Sequence, residues 1–273
     1  MLKYRYEELS WPEVREVVKS DPVAVLPVGT TEQHGPHLPV MVDYACASGV
    51  AEGAVRHVVA SQPQDEGPHA VVLHPVPYSF NEHHMDYPGT IDIDPHTIID
   101  YIFCIGKSLA HHGFKRIIIL NGHGSNVPFL DIAARMITNR TESIAAMVSW
   151  WAILEQEDFA WREAPYPGGF SHGCEAETSL MLQVRPDLVD MKQAPRTMDE
   201  VQRSKHIYWD LQGGSKVNFQ EFFSRNSETG VQGDATLANA EKGQKLYTAA
   251  ISRMAEFIEE FRMREIRPRR DFH

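Results

Sequence analysis

Two short segments, Val23–Val28 (VAVLPV) and Arg116–Leu120 (RIIIL), are apolar at almost every position instead of at alternate ones. Successive side chains of a strand point to opposite sides of its sheet, so such continuity belongs to strands buried on both faces. Helices must then cover both faces, and the chain supplies them. Asp43 to Ala60 reads as a helix and Ala70–Val76 as a further strand. Asp94-Pro95 opens a helix with Ile98, Ile99, Ile102, Ile105 and Leu109 at helical spacing, and Gly113 stops it. A helix over Val127 to Thr138, a strand over Ser143–Trp150, a helix over Glu175 to Gln183 and a long one over Leu237 to Arg264 follow. Ser10-Trp11-Pro12-Glu13 has the form of a capping box at the start of an early helix. The alternation predicts an α/β fold with a central, mostly parallel sheet sandwiched by helices and right-handed crossovers. Residues 1–273 read as a single domain. Its stretch 184–235 is less regular, with Pro186, Pro195, Gly213 and Gly214, and suits an insertion, a lid or an oligomer contact.

Charge narrows the partners. Among 273 residues there are 26 basic and 37 acidic ones, a net charge of −11, which argues against nucleic acid as a partner. With 42% hydrophobic residues the chain can bury a sizeable core. Cys46, Cys104 and Cys174 lie far apart without a CxxC, so neither a disulfide framework nor a cysteine zinc site is expected. The opening MLKYRYEELSW has charges where a signal peptide needs an apolar stretch, and no run approaches the roughly 18 apolar residues of a membrane span. The expectation is a cytoplasmic protein that acts on a small molecule and does not engage membranes. Arginines 262, 264, 267, 269 and 270 suit a solvated helix end. Of the neighbours Trp150 and Trp151, one is expected in the core and the other is free to line a pocket.

The 14 histidines are unusual, and several sit beside acids and glycines. Gly29-Thr30-Thr31-Glu32-Gln33-His34-Gly35-Pro36-His37 follows the first strand, where open parallel sheets place their ligand crevice. In extended backbone Glu32 and His34 point the same way, and Asp43 at the start of the next helix can turn back towards them. Together they suit a divalent ion such as Zn²⁺ or Mn²⁺; on spacing alone, loop, cap and surface roles account for them as well. Asn121-Gly122-His123-Gly124-Ser125-Asn126 ends the RIIIL strand, and a plain glycine-rich turn does not explain a histidine between its glycines. In Ser171-His172-Gly173-Cys174-Glu175-Ala176-Glu177, His172 is the catalytic candidate and Cys174 a small buried apolar residue. Residues two apart on a helix point about 200° apart, so at most one of Glu175 and Glu177 enters a single site directly. No GxGxxG, Walker loop or GxSxG elbow is present.

Taken in order, GTTEQHGPHLP with Asp43, DYPGT at residues 86–90, NGHGSN, HGCEAETSLML and, more weakly, GDATLANAEKG at 233–243 resemble the creatininase (creatinine amidohydrolase) family. The resemblance implies an α/β fold, a two-metal site holding zinc, manganese or iron, hydrolysis of amide-type C–N bonds with water activated by the ions, and a homo-oligomer, commonly a hexamer. Residue by residue it implies Glu32, His34, Asp43 and His123 as metal ligands, with Asp43 shared by both ions, and His172 as proton shuttle. Creatininase itself has a glutamate two residues after the NGH histidine, and here that position is Ser125. Many relatives carry a glutamate three residues after the shuttle histidine instead, which predicts Glu175 as the replacement ligand and leaves Glu177 to orient a ligand imidazole.

Creatininase also has aromatic residues where Gly124 and Gly168 stand, so creatinine is not the expected substrate. Other relatives deformylate a ribosylaminopyrimidine phosphate, yet the segments 29–46, 76–90, 121–130 and 163–178 contain neither Arg nor Lys for a phosphate. Still others open inositol-derived cyclic diketones. A polar ring would meet Phe80, Asn81, His83 and His84, with Gly124 and Ser125 completing the substrate side. The alternative from another class is a non-catalytic metal-binding scaffold of the same fold.

Overall fold

In the computed structural model, which describes residues 2–63, 65–198, 205–214 and 217–273, the apolar runs become the middle of a parallel sheet. Strand β1 (Val23–Val28) pairs on one side with β2 (Ala70–Val72) and on the other with β3 (Arg116–Asn121), and β3 pairs with β4 (Ile144–Ser149). The order is β2-β1-β3-β4. Every residue of β1 and β3 is buried, as the continuous apolar pattern requires. Val23, Val25, Ile118 and Leu120 look into one core, while Ala24, Leu26, Val28, Ile117 and Ile119 look into the other.

Helices α2 (Val42–Ser61), α5 (Glu175–Val184) and α6 (Ala240–Met263) close the first core. Helices α3 (Pro95–His111) and α4 (Val127–Arg140) close the second, and the short α1 (Trp11–Val17) opens on the expected Ser10/Glu13 capping box. Trp150 and Trp151 both lie in the first core, edge to face with centroids 5.5 Å apart, so neither is left for a pocket. Cys174 is buried there too. No helix among the described residues is long and apolar enough to cross a membrane.

Two expectations change. The strand read over Ala70–Val76 stops at Val72, because Pro75 has no N–H for the ladder; Leu73 and Val76 still donate singly to Val25 and Pro27 carbonyls. The less regular stretch is built largely of single turns, yet it contributes to a second, antiparallel sheet. There β7 (Gln232–Asp234) lies between β5 (Phe170–His172) and β6 (Arg196–Thr197). Of that stretch, residues 199–204 and 215–216 lie outside the described ones. Among the tail arginines, Arg264, Arg267, Arg269 and Arg270 are exposed beyond α6, whereas Arg262 donates to the Ser20 carbonyl.

Candidate metal centre

The carboxyl ends of β1 and β3 and the start of α2 meet with almost no space between their backbones. A Cβ on Gly29 would sit 2.3 Å from the Tyr44 nitrogen, and one on Gly122 would sit 2.3 Å from the Asp43 carbonyl oxygen. Side-chain-free strand ends therefore let the first turn of α2 rest on the sheet, which carries the Asp43 carboxylate over the crevice. Glu32 and His34 come from the segment after β1, and His123 lies two residues beyond β3. His172 ends β5, Glu177 lies in the first turn of α5, and His84 belongs to the turn Glu82–His84.

The two oxygens of Asp43 face different imidazoles: Oδ1 is 3.1 Å from His34 Nε2, and Oδ2 is 3.1 Å from His123 Nδ1. Glu32 Oε2 is 2.9 Å from the same His123 nitrogen. Its Oε1 is 3.1 Å from His84 Nε2 and 3.2 Å from His172 Nδ1. Glu177 Oε1 stands 4.0 Å from His34 Nε2. Possible ligand atoms gather within 4.8 Å of one another in three groups: Glu32, Asp43 and His123; His34, His172 and Glu177; Glu32, His84 and His172.

Whether these residues fit a cation is decided by atoms that lack partners. Both Glu32 oxygens, Asp43 Oδ2, His34 Nε2 and His123 Nε2 are buried without a hydrogen bond. His34 Nδ1–H donates to the Glu32 carbonyl at 3.1 Å, which turns the Nε2 lone pair towards Asp43. A lone pair facing a buried carboxylate is repulsive unless a metal ion or a proton lies between them. Carboxylate and imidazole donors of this kind suit zinc, manganese or iron. The residues fit.

The electrostatics agree. Burial disfavours charge on His34 and His123, but the surrounding carboxylates outweigh it and raise His34 to about 9 and His123 to about 10. Burial lifts Glu177 to about 7 and raises Glu32. Asp43, although buried, is held below the usual carboxylate range by His34 and His123. Without ions, then, protons shared between imidazoles and carboxylates balance the buried acids. Burial pushes His84 and His172 well below an ordinary imidazole, so both are neutral.

Of the residues expected at the site, Glu32, His34, Asp43, His123, His172 and Glu177 are brought together. Glu175 is not, and the reading of it as the replacement ligand is corrected. Its carboxylate accepts from the Glu163 and Ala164 N–H groups and, at 2.5 Å, from Lys242 Nζ, facing α6 and the 163–164 loop rather than the cluster. Glu177 takes the place that had been given to it. On the substrate side, His83 Nε2 is 3.0 Å from Ser125 Oγ, and Phe80 lies nearly parallel to the His83 ring. Gly124 is exposed beside His123. Asn81 is a loop brace more than an open partner: its N–H donates to Asp92 and its amide to Thr30 and the Thr31 carbonyl, leaving only Oδ1 unused. His84 faces Glu32 instead of the open side. Three residues were missed. Leu211 comes within 3.9 Å of where a Gly124 Cβ would be, and Phe223 stacks on His84 at 4.2 Å. Gln33 contacts both neutral histidines.

Comparison with known proteins shows the family and the fold. The family described as creatininase, creatinine amidohydrolase, matches residues 7–258. The mycofactocin precursor peptide peptidase of Mycolicibacterium smegmatis is 30% identical over 89% of this chain and 87% of its own. The creatinine amidohydrolase of Pseudomonas putida is 28% identical over 93% and 95%. The 3-dehydro-scyllo-inosose hydrolase of Thermotoga maritima is 25% identical over 93% and 82%. A crystal structure of creatininase superposes with a TM-score of 0.75 at 27% identity over 94% of this chain and 98% of that one, and a manganese form gives 0.75 at 26% over 94% and 98%.

Proposed function

The chain belongs to the creatininase family of metal-dependent amidohydrolases, and from that premise we propose that it is a two-metal hydrolase of an amide-type C–N bond in a small, polar, unphosphorylated substrate. The observation that carries this reading is Asp43, whose two oxygens each face a different imidazole nitrogen amid buried donor atoms without hydrogen bonds. Glu32, Asp43 and His123 would hold one ion, and His34, with Asp43 at 3.1 Å and Glu177 at 4.0 Å from its Nε2, the other. When bound, the ions supply Lewis-acid activation of water and of the scissile carbonyl. His172 carries the proton. Its Nε2–H is engaged by the Gln33 carbonyl at 2.8 Å, so Nδ1 is the atom that takes a proton and returns it to the leaving nitrogen. Ser125 and His83, joined by a hydrogen bond, offer a polar edge beside His123.

Three differently named substrates among relatives leave the family alone unable to choose. The absence of Lys and Arg from the segments that build the site supports an unphosphorylated substrate, and glycine at 124 leaves room that creatinine does not need. A second reading, cleavage of a peptide, is favoured by that same room and by the 30% identity to a peptidase. The test is a kcat/KM panel of cyclic amides, formamides, cyclic diketones and short peptides on the metal-loaded protein. An unphosphorylated amide should rank first and a chelator should abolish its turnover. A ribosylaminopyrimidine phosphate or creatinine in first place, or turnover that survives complete metal removal, would overturn the reading.

A further inference from the structure

Gln33 lies between the two metal-ligand positions Glu32 and His34, and its own side chain faces away from Asp43 into the stretch around Gly230. The orientation of its amide is fixed twice. Gly35 N–H donates to Oε1 at 2.9 Å, and Nε2 donates to the Gly230 carbonyl at 3.0 Å. The remaining Nε2 hydrogen has two imidazole nitrogens within reach, His84 Nδ1 at 3.1 Å and His172 Nε2 at 3.2 Å. The second already holds the proton it gives to the Gln33 carbonyl at 2.8 Å, so only His84 Nδ1 can accept. An amide NH₂ can only donate, so His84 Nδ1 must be the acceptor, and a neutral His84 then carries its proton on Nε2. Nε2 stands 3.1 Å from Glu32 Oε1. The backbone of Gln33 acts on the second ring: its carbonyl lies 2.8 Å from His172 Nε2, a distance that a bare lone pair would not tolerate, so Nε2 holds the proton and Nδ1 is bare.

We propose that Gln33 is a positioning residue that sets the tautomers of both histidines, His84 through its amide and His172 through its carbonyl. The consequence for His84 is that it cannot be a metal ligand. In the third group of possible ligands, Glu32, His84 and His172, His84 therefore offers an ion no free nitrogen. The consequence for His172 is that its bare Nδ1 faces the centre. The inference rests on the proposed proton-carrying role of His172 for its catalytic meaning, though not for the tautomers.

Two features show that the arrangement is built. A Cβ on Gly230 would lie 2.0 Å from Gln33 Oε1, and Gly230 adopts φ +76°, so only glycine lets the amide reach its carbonyl. Phe223, from the same stretch, covers the two rings from the other side, parallel to His84 at 4.2 Å and 27° and edge-on to His172 at 4.8 Å and 65°. The imidazoles are thus held in their planes by Gln33 and across their faces by Phe223.

The experiment is long-range ¹H–¹⁵N NMR on the full-length, metal-free protein labelled at histidine, with His84 and His172 assigned by single substitution. In the unsubstituted protein both should show a protonated Nε2 and a bare Nδ1. In Gln33→Met, His84 Nδ1 should move downfield to the position of a nitrogen that accepts no hydrogen bond, while the His172 tautomer stays, because a backbone carbonyl holds it. Affinity for the ion at Glu32 should fall about 10–100-fold, as is usual when a partner of a ligand is lost. A protonated Nδ1 on His84 in the unsubstituted protein, a reading that does not depend on any variant folding, would overturn the assignment. So would a His84 signal that Gln33→Met leaves in place. The expected tautomers in a protein without hydrolase activity would uphold Gln33 and sink the catalytic reading instead.

Discussion

Replacing Glu175 and Glu177 separately by glutamine should divide stability from metal binding. Glu175 is 1% exposed and holds three donors: the N–H groups of Glu163 and Ala164 and the Lys242 ammonium. In Glu175→Gln the charge vanishes and an NH₂ replaces one acceptor, so either a backbone N–H or the ammonium loses its partner. Breaking a buried pair from one side costs about 3–5 kcal/mol. Lys242 keeps the Glu163 carboxylate at 2.7 Å, itself largely exposed, and the Leu237 carbonyl at 2.7 Å. The cost should therefore fall near the lower end, about 3 kcal/mol. Glu177→Gln keeps an oxygen for the Gly173 N–H and removes one of the buried acids crowded near Asp43. Metal-free stability should then change little, while the ion shared with His34 is lost. Urea denaturation of the stripped proteins reads the first effect, and metal analysis after reconstitution reads the second. Loss of metal from Glu175→Gln at unchanged stability, with full metal in Glu177→Gln, would refute the assignment of both residues.

Asp43→Ala should weaken both metal positions together, and metal analysis that finds two tightly held ions would contradict a shared carboxylate. Gly29→Ala puts a Cβ against the Tyr44 backbone, 2.3 Å away where ordinary contact begins at 3.4 Å, so α2 must retreat by about 1 Å. A loss of about 1–3 kcal/mol in denaturation, together with weaker metal binding, should follow. Metal affinity should also depend steeply on pH. His34 and His123 are raised to about 9 and about 10 in the metal-free centre, so between pH 7 and 9 each holds a proton that an ion must displace. The apparent affinity for each ion should rise by up to about 10-fold per pH unit there, measured by chelator competition, and a flat profile would contradict it. The same raised values mean that these protons stabilise the metal-free fold fully below the ordinary imidazole range, an effect lost as pH climbs through 9 to 10.

The sheet was legible because burial on both faces leaves a mark that single strands carry alone: β1 begins and ends where the apolar run does, and β3 runs one residue beyond its own. Glu32, His34, Asp43 and His123 could be singled out through the creatininase resemblance, whereas spacing alone left loop, cap and surface roles open to the first three. The choice between Glu175 and Glu177 could not. Helix geometry forbids both from entering one site but does not say which turns inward, and the decision lies with Lys242, 67 residues away on α6. The second sheet has strands of three, three and two residues, too short for any periodicity to register. Phe223 and Leu211 come from a stretch whose sequence has no regular pattern, and only its folding onto the crevice gives them a role.

The two halves of the crevice have different tolerance for change. The metal half hangs from backbone pressed against backbone at Gly29, Gly122 and Asp43, so almost any added atom there displaces a ligand. The opposite half is walled near Gly124 by Leu211, borne on a turn whose length and side chains can vary without moving the sheet. An evolving lineage could therefore exchange one substrate for another by rewriting that turn while inheriting the hydrolytic chemistry intact. The differently named activities of its relatives are what such a division of labour would leave behind.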